Sequence, residues 1–218
     1  TLTDNDEAPT ISAISSSASE SQATLNLPIR LSQISGKTIT GTVSTSNGSV
    51  TSSSATAGSD YTALVNKTFT ITKGLSETVV AIPLQNDTID EVDESFNLTI
   101  NSASNATIAT ATAAATILDN DAPGILTIGD ATADESKGIL TFTVSLNTIS
   151  GLAVTGKAST VNGSATSNAD FNALTSIPFT ISAGSSSTVI SVIIHEDLSD
   201  EYDEQFFVNL NNLVNTQE

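Results

Sequence analysis

Asp90-Glu91-Val92-Asp93-Glu94-Ser95-Phe96-Asn97-Leu98-Thr99-Ile100 returns 110 positions later as Asp200-Glu201-Tyr202-Asp203-Glu204-Gln205-Phe206-Phe207-Val208-Asn209-Leu210. Each copy passes from a carboxylate-rich loop into a run with apolar side chains on every second residue: Phe96, Leu98 and Ile100, then Phe206, Val208 and Leu210. A period of two puts one face in a core and the other in water, as in antiparallel sheets. Leu25, Leu27, Ile29 and Leu31 alternate in the same way, as do Leu140, Phe142, Val144 and Leu146. Pro28 interrupts the first of these runs; it has no N–H for a ladder, so its strand is expected at a sheet edge or at a bulge.

The duplication extends in both directions. Asp4-Asn5-Asp6, Glu20, Leu31 and Asn47-Gly48 match Asp119-Asn120-Asp121, Glu135, Leu146 and Asn162-Gly163 at an offset of 115. After a five-residue insertion in the first copy, Val50 to Ser54, the offset is 110. Asp60-Tyr61, Phe69-Thr70-Ile71 and Gly74 then match Asp170-Phe171, Phe179-Thr180-Ile181 and Gly184. The unit of about 110 residues has the usual size of a domain. Turn signals such as Ser35-Gly36, Lys73-Gly74 and Ala183-Gly184 cut each copy into about seven short strands. The expected fold is all-β: tandem immunoglobulin-like antiparallel β-sandwiches of about seven strands each. Residues 1–6 parallel residues 116–121 and read as the tail of a preceding repeat, residues 7–121 as the first repeat and 122–218 as the second. The last strand of the second repeat is then either absent or supplied by a neighbouring molecule, which would give a homopolymer by strand addition.

Composition narrows the function. The 218 residues carry 24 acidic and 6 basic side chains, a formal charge of −18, which excludes a nucleic-acid partner because phosphate neutralisation needs clustered Lys and Arg. No apolar run approaches the ~18 residues that would span a bilayer, so membrane insertion is not expected. The chain has no Cys, hence no disulfide and no thiolate site. Enzymatic activity is not expected: there is one His, and no nucleophile elbow, zinc-protease motif or phosphate loop.

The acid is concentrated. The runs 86–94 and 196–204, with Asp4, Asp6, Glu20, Asp60, Asp119, Asp121, Glu135 and Asp170, hold 19 of the 24 carboxylates. Carboxylates about 5 Å apart at an effective dielectric of ~20 repel by roughly 3 kcal/mol per pair. Binding cations relieves that repulsion. Many hard oxygen donors without Cys or neighbouring His favour Ca²⁺ over Zn²⁺ or Cu²⁺, and Mg²⁺ rarely occupies all-protein cages.

The succession of Asp-Tyr, Phe-Thr-Ile-x-x-Gly, an Asp-x-x-x-Glu-x-Asp-Glu-x-Phe loop and Asp-Asn-Asp resembles the Calx-β domain, a calcium-binding β-sandwich. Ala55-Thr56-Ala57-Gly58-Ser59-Asp60-Tyr61 is similar to a further motif of that family. The resemblance implies a calcium cluster at one end of each sandwich. In the first copy it implies Glu20, Asp60, Asp87, Glu91, Glu94, Asp119 and Asp121 as ligands. Asn86 and Asn120 stand where the family often has Asp, and the carbonyl of Ile89 joins the set. In the second copy it implies Glu135, Asp170, Glu196, Asp197, Glu201, Glu204 and the carbonyl of Ser199. The stretch Asp119-Asn120-Asp121-Ala122-Pro123 is also similar to the calcium linker of cadherins, but the separate Asp-Arg-Glu and Asp-x-Glu motifs of that family are missing.

These readings converge on a calcium-binding structural repeat of an extracellular or cell-surface protein. Calcium would rigidify domain ends and junctions into a rod, stalk or adhesive filament whose partners are calcium and neighbouring repeats. The alternatives are a calcium-sensing regulatory module and a cadherin-like adhesion domain. The absence of Cys, the scarcity of Lys and the 65 Ser and Thr residues favour the extracellular array.

Overall fold

The computed structural model describes residues 3, 5–48, 53–198 and 201–217; Ser199 and most of the Val50 to Ser54 insertion lie outside them. The chain packs as two compact units, residues 1–88 with 92–120 and residues 89–91 with 121–218. Both are all-β, and among the described residues no α-helix occurs.

The first unit contains β1 (Thr10–Ala13), β2 (Ser16–Ser19), β3 (Thr24–Leu31), β4 (Ile39–Asn47), β5 (Lys67–Ile71), β6 (Glu77–Pro83), β7 (Glu94–Ser104), β8 (Thr107–Thr110) and β9 (Thr112–Leu118). They form two sheets, β6-β3-β1-β8 and β2-β9-β7-β4-β5. The expected seven strands appear as nine elements because the first and last each break and cross between sheets. β1 pairs with β8 in one sheet, while β2 pairs with β9 in the other, both parallel. All remaining ladders of this unit are antiparallel.

Alternation becomes core as the sequence indicates. Leu25, Leu27, Ile29 and Leu31 of β3 and Phe96, Leu98 and Ile100 of β7 are all buried, facing one another across the sandwich with Ile11, Ile39, Ile71 and Ile82. Pro28 corrects an expectation: β3 is no edge strand but lies between β1 and β6, and its β6 ladder runs through Pro28↔Val79 without a shift. Proline is tolerated because the β1 ladder ends at Ala13↔Ile29. Ile14 N–H still donates to Pro28 O (3.0 Å), and the return bond that Pro28 cannot make falls where the chain leaves that sheet.

The second unit contains β10 (Leu126–Ile128), β11 (Ile139–Leu146), β12 (Val154–Asn162), β13 (Ile177–Ile181), β14 (Ser187–Ile193) and β15 (Phe206–Val214). Its sheets are β10-β11-β14 and β13-β12-β15. The correspondence with the first unit holds in detail. Gly74 and its counterpart Gly184 both take positive φ, +86° and +75°, in equivalent turns. Gly41 and Gly156 pair with Phe69 and Phe179, whose rings lie so close that a Cβ would sit 2.6 Å from the ring tip.

Candidate metal centres

Each carboxylate-bearing loop is anchored by the core beneath it. In the first repeat Tyr61 is fully buried and stacks on Phe96 at 3.9 Å and 9°. Asp60, directly before it, turns back, and its Oδ2 accepts a hydrogen bond from Thr56 N–H. Asn47 at the end of β4 closes the loop: its Oδ1 accepts from Ala57 N–H (2.9 Å) and from the Tyr61 hydroxyl (3.0 Å). Burial, opposed by a hydrogen bond with Thr45, raises the Tyr61 phenol above its ordinary pKa, so it stays a neutral donor. Phe96, the other stacking ring, follows Glu94 by two residues. The aromatic pair therefore sets the separation of Asp60 and Glu94.

Two sets of three carboxylates come together within residues 7–121, the stretch that the sequence marks as the first repeat: Glu20 with Asp119 and Asp121, and Asp60 with Glu91 and Glu94. In each set one oxygen from every residue lies within 4.8 Å of the others. Six of the ligands expected from sequence are thus gathered. Glu20 is buried, and Asp121 Oδ2 is a buried oxygen that no hydrogen-bond donor reaches among the described residues. Asn120, expected to contribute, spends its Oδ1 on Ser21 N–H (2.9 Å) and the Ser19 hydroxyl (3.2 Å), which fixes the turn next to Glu20. Asn86 donates from Nδ2 to Asp87 O (2.8 Å), a bond within the acidic loop. Asp87 belongs to neither carboxylate set.

In the second repeat Phe171 stacks on Phe206 at 4.2 Å and 20°, with Phe142 edge-on to Phe206 at 5.9 Å. Asp170 Oδ2 accepts from Thr166 N–H (2.6 Å) and from the Thr166 hydroxyl (3.2 Å), repeating the Asp60 turn. Above these rings opens a cleft of ≈ 600 Å³. All six side-chain ligands expected here, Glu135, Asp170, Glu196, Asp197, Glu201 and Glu204, line it, and no Lys, Arg or His does among the described residues. Ser199 lies outside those residues.

Mutual repulsion and desolvation both act on the carboxyls of this cleft. The Glu201 carboxyl is held above the ordinary range, first by the charge of Asp197, then by desolvation and by Asp170 and Glu135. Glu204 is also raised, chiefly by desolvation, then by Asp170, which it also hydrogen-bonds. A cation at this place would reverse both shifts.

Three carboxylates not expected as ligands also belong to these centres. Asp93 Oδ1 accepts Asp119 N–H (3.1 Å) and so positions a carboxylate of the first set. Its counterpart Asp203 lines the cleft of the second repeat, with Asp134. Asp134 caps the 3-10 turn Glu135–Lys137, where hydrogen bonds from Ser136 keep it below the ordinary carboxylate range. Asp93 and Asp203 share the 110-residue offset, which was the signal available; Asp134 stands where the first copy has Ser19, so no repetition marks it.

The donor set suits a hard cation. Among the described residues the gathered donors are carboxylate oxygens, and both ring nitrogens of His195 are engaged, Nδ1 with Ala169 O (2.8 Å) and Nε2 with Asn172 Oδ1 (2.9 Å). Replacing Asn47 with Ala should cost the first repeat about 1–2 kcal/mol, two modest hydrogen bonds. Asn162→Ala should cost less, because among the described residues a single donor, Ser167 N–H (3.1 Å), reaches its Oδ1. Urea unfolding of the two variants, each read against its own repeat, checks the order.

Comparison with known proteins gives three results. The model of the Calx-beta domain matches residues 4–121 and again 119–218. No curated protein matches the chain. Among solved structures, the crystal structure of CBD12 from CALX1.2 is similar at 19% identity over 94% of this chain and 80% of that one, with a TM-score of 0.47. The calcium binding domain CBD12 of CALX1.1 gives 19%, 95%, 82% and 0.46. The apo-form Calx CBD1 domain covers 53% of this chain and 100% of its own, at 19% identity and a TM-score of 0.46.

Proposed function

The chain belongs to the Calx-beta family, with two of its calcium-binding domains in tandem, and from that premise we propose that it is a structural calcium module of an extracellular or cell-surface protein. One observation carries the reading: carboxylates from separate loops are brought within 4.8 Å of one another. Glu20, Asp119 and Asp121, then Asp60, Glu91 and Glu94, would hold ions in the first repeat; Glu135, Asp170, Glu196, Asp197, Glu201 and Glu204 would hold them in the second. Bound calcium supplies positive charge that offsets the repulsion of these groups, and no catalytic step is assigned.

With the repeats drawn at residues 7–121 and 122–218, the connection beyond Asp121 runs only from Ala122 to Ile125 before β10. Fixing Asp119 and Asp121 on an ion leaves little slack in so short a segment. Calcium then stiffens the array, as a rod, stalk or adhesive filament requires. The 65 Ser and Thr, six basic residues and absence of Cys support an extracellular setting.

Calorimetric titration of the 218-residue chain, with scattering dimensions measured in calcium and in chelator, tests this reading. Saturable binding is expected, weakened about tenfold or more in the first repeat by Asp60→Asn, and chelation should broaden the range of dimensions. No heat of binding and identical scattering would sink the reading. Affinity near millimolar fits the structural role, whereas submicromolar affinity would make the chain a sensor.

A further inference from the structure

An edge strand presents unpaired backbone groups to other chains, and charge, proline or short length keeps those chains away. The edge strands of the first repeat carry such protection. β2 and β8 have four residues each, and β5 begins with Lys67. β6 begins with Glu77, which Arg30 reaches across the ladder (2.9 Å), and ends with Pro83. In the second repeat β14 holds the place of β6, at the end of the sheet β10-β11-β14. At the 110-residue offset Ser187 stands for Glu77 and Ile193 for Pro83, while Ser145 stands for Arg30. From Phe171 to Ile194 the chain has no charged side chain, where the first copy has Lys67, Lys73 and Glu77.

The ladder shows which groups are unpaired. Leu146 N–H donates to Ser186 O (2.8 Å) and Ile194 N–H to Gly138 O (3.1 Å), so the even-numbered residues of β14 address β11. The odd-numbered ones turn their N–H and C=O groups the other way. At one end these are taken: Asn172 N–H donates to Ile193 O (2.9 Å), and His195 N–H to Asp170 O (2.8 Å). That leaves Ser187, Val189 and Ser191, and among the described residues no strand lies beside them. The Val189 side chain is 59% exposed on the outward face.

We propose that β14 is a dimerisation edge, pairing antiparallel with β14 of a second copy about a two-fold axis at Val189. In this register Val189 meets Val189, and Ser187 meets Ser191 in both directions, so each unpaired N–H faces an unpaired C=O. The contact uses the free groups and stops where residues 170–172 cover the strand. Both edges are consumed, so the assembly closes at two chains and joins their β10-β11-β14 sheets into one. Charge selects the partner and the direction. A chain of net charge −18 repels its copies, but β14 brings no charge to the contact. Glu196 follows Val189 by seven residues. At about 3.3 Å per residue, antiparallel pairing carries the acidic ends of the two strands about 45 Å apart. That is several times the Debye length of about 8 Å, whereas parallel pairing would set those ends side by side. None of this rests on the calcium reading.

Sedimentation of the whole chain over a concentration series, at physiological ionic strength, tests the edge. A monomer–dimer equilibrium is expected, with hydrogen exchange at Ser187, Val189 and Ser191 slowed in the dimer. Val189→Lys and Val189→Glu alter an exposed side chain and should keep the fold. Each should weaken the dimer at least tenfold, because like charges then face each other across the axis. An equimolar mixture of the two variants should restore it, since the introduced charges are then opposite. Val79→Lys, the same change on the edge of the first repeat, should leave the dimer as it was. A chain that stays monomeric while β14 exchanges freely overturns the proposal, and so does a dimer that Val189→Lys leaves intact. Loss of the dimer through Val79→Lys overturns it by placing the contact on β6. Failure of the mixture to pair overturns the two-fold register at Val189, and growth beyond two chains overturns the closed assembly.

Discussion

Replacing Tyr61 with Ala should remove about 3–5 kcal/mol from the first repeat, the range for truncating a fully buried aromatic side chain. A domain is stable by only about 5–15 kcal/mol, so this single change consumes much of the margin. Tyr61 has no exposed surface, stacks on Phe96 and carries the hydroxyl that Asn47 receives. Its loss opens a cavity directly under Asp60 and Glu94, so calcium affinity of the first repeat should fall with stability. Tyr61→Phe separates the two contributions: it keeps the stack, removes the hydroxyl and should cost about 1 kcal/mol. Phe171 in the second repeat is the natural version of that change, and it too is fully buried. Thermal unfolding should show the Tyr61→Ala transition of the first repeat moved far down while that of the second stays in place. A loss below 1 kcal/mol would contradict the aromatic anchor.

Calcium should have an effect of similar size. An ion at a thousand times its dissociation constant contributes about 4 kcal/mol per site by mass action. For a domain of about 100 residues each kcal/mol shifts the melting temperature by about 4–8 °C, so saturation should raise it by roughly 20 °C. The pH dependence should change sign with the ion. Without calcium, Glu201 and Glu204 hold protons more tightly in the folded second repeat than unfolded. Stability then falls as pH rises through their raised values and recovers as pH drops towards the ordinary carboxylate range. With calcium the ionised carboxylates are the favoured form, and acidification strips the ion and lowers stability. Melting curves across this window, with calcium and with chelator, check both slopes; parallel slopes would contradict a cation-binding cleft.

Much of the fold could be read from the chain because alternation is a local property. Phe96, Leu98 and Ile100 declare a half-buried strand without reference to anything distant. Pro28 could not be placed that way: its position depends on which strands flank β3, and sheet order is a long-range outcome. The break of the first strand near Ile14 and of the last near Ala111 was equally silent, since neither is a turn residue. At the site, repetition did the work. It marked six carboxylates of the second copy that line one cleft, and four of their counterparts, Glu20, Asp60, Glu91 and Glu94, belong to the two sets of the first. Asn120 shows the limit, because a carboxamide in a ligand-like position can serve the adjacent backbone. Asp134 shows the other limit: it lines the cleft in one copy only, and comparison of copies cannot find it.

The parallel pairing of β1 with β8 and of β2 with β9 places the entering and leaving segments of the first repeat side by side. Tension applied through the two ends of this repeat therefore runs along both strands in opposite directions. The rungs between Ser16–Ser19 and Ala115–Leu118 carry such a load together, in shear, and do not open one at a time from an end. Under a steady pull the repeat yields by sliding whole strands past each other, which makes this pair of ladders the mechanical clamp of the domain.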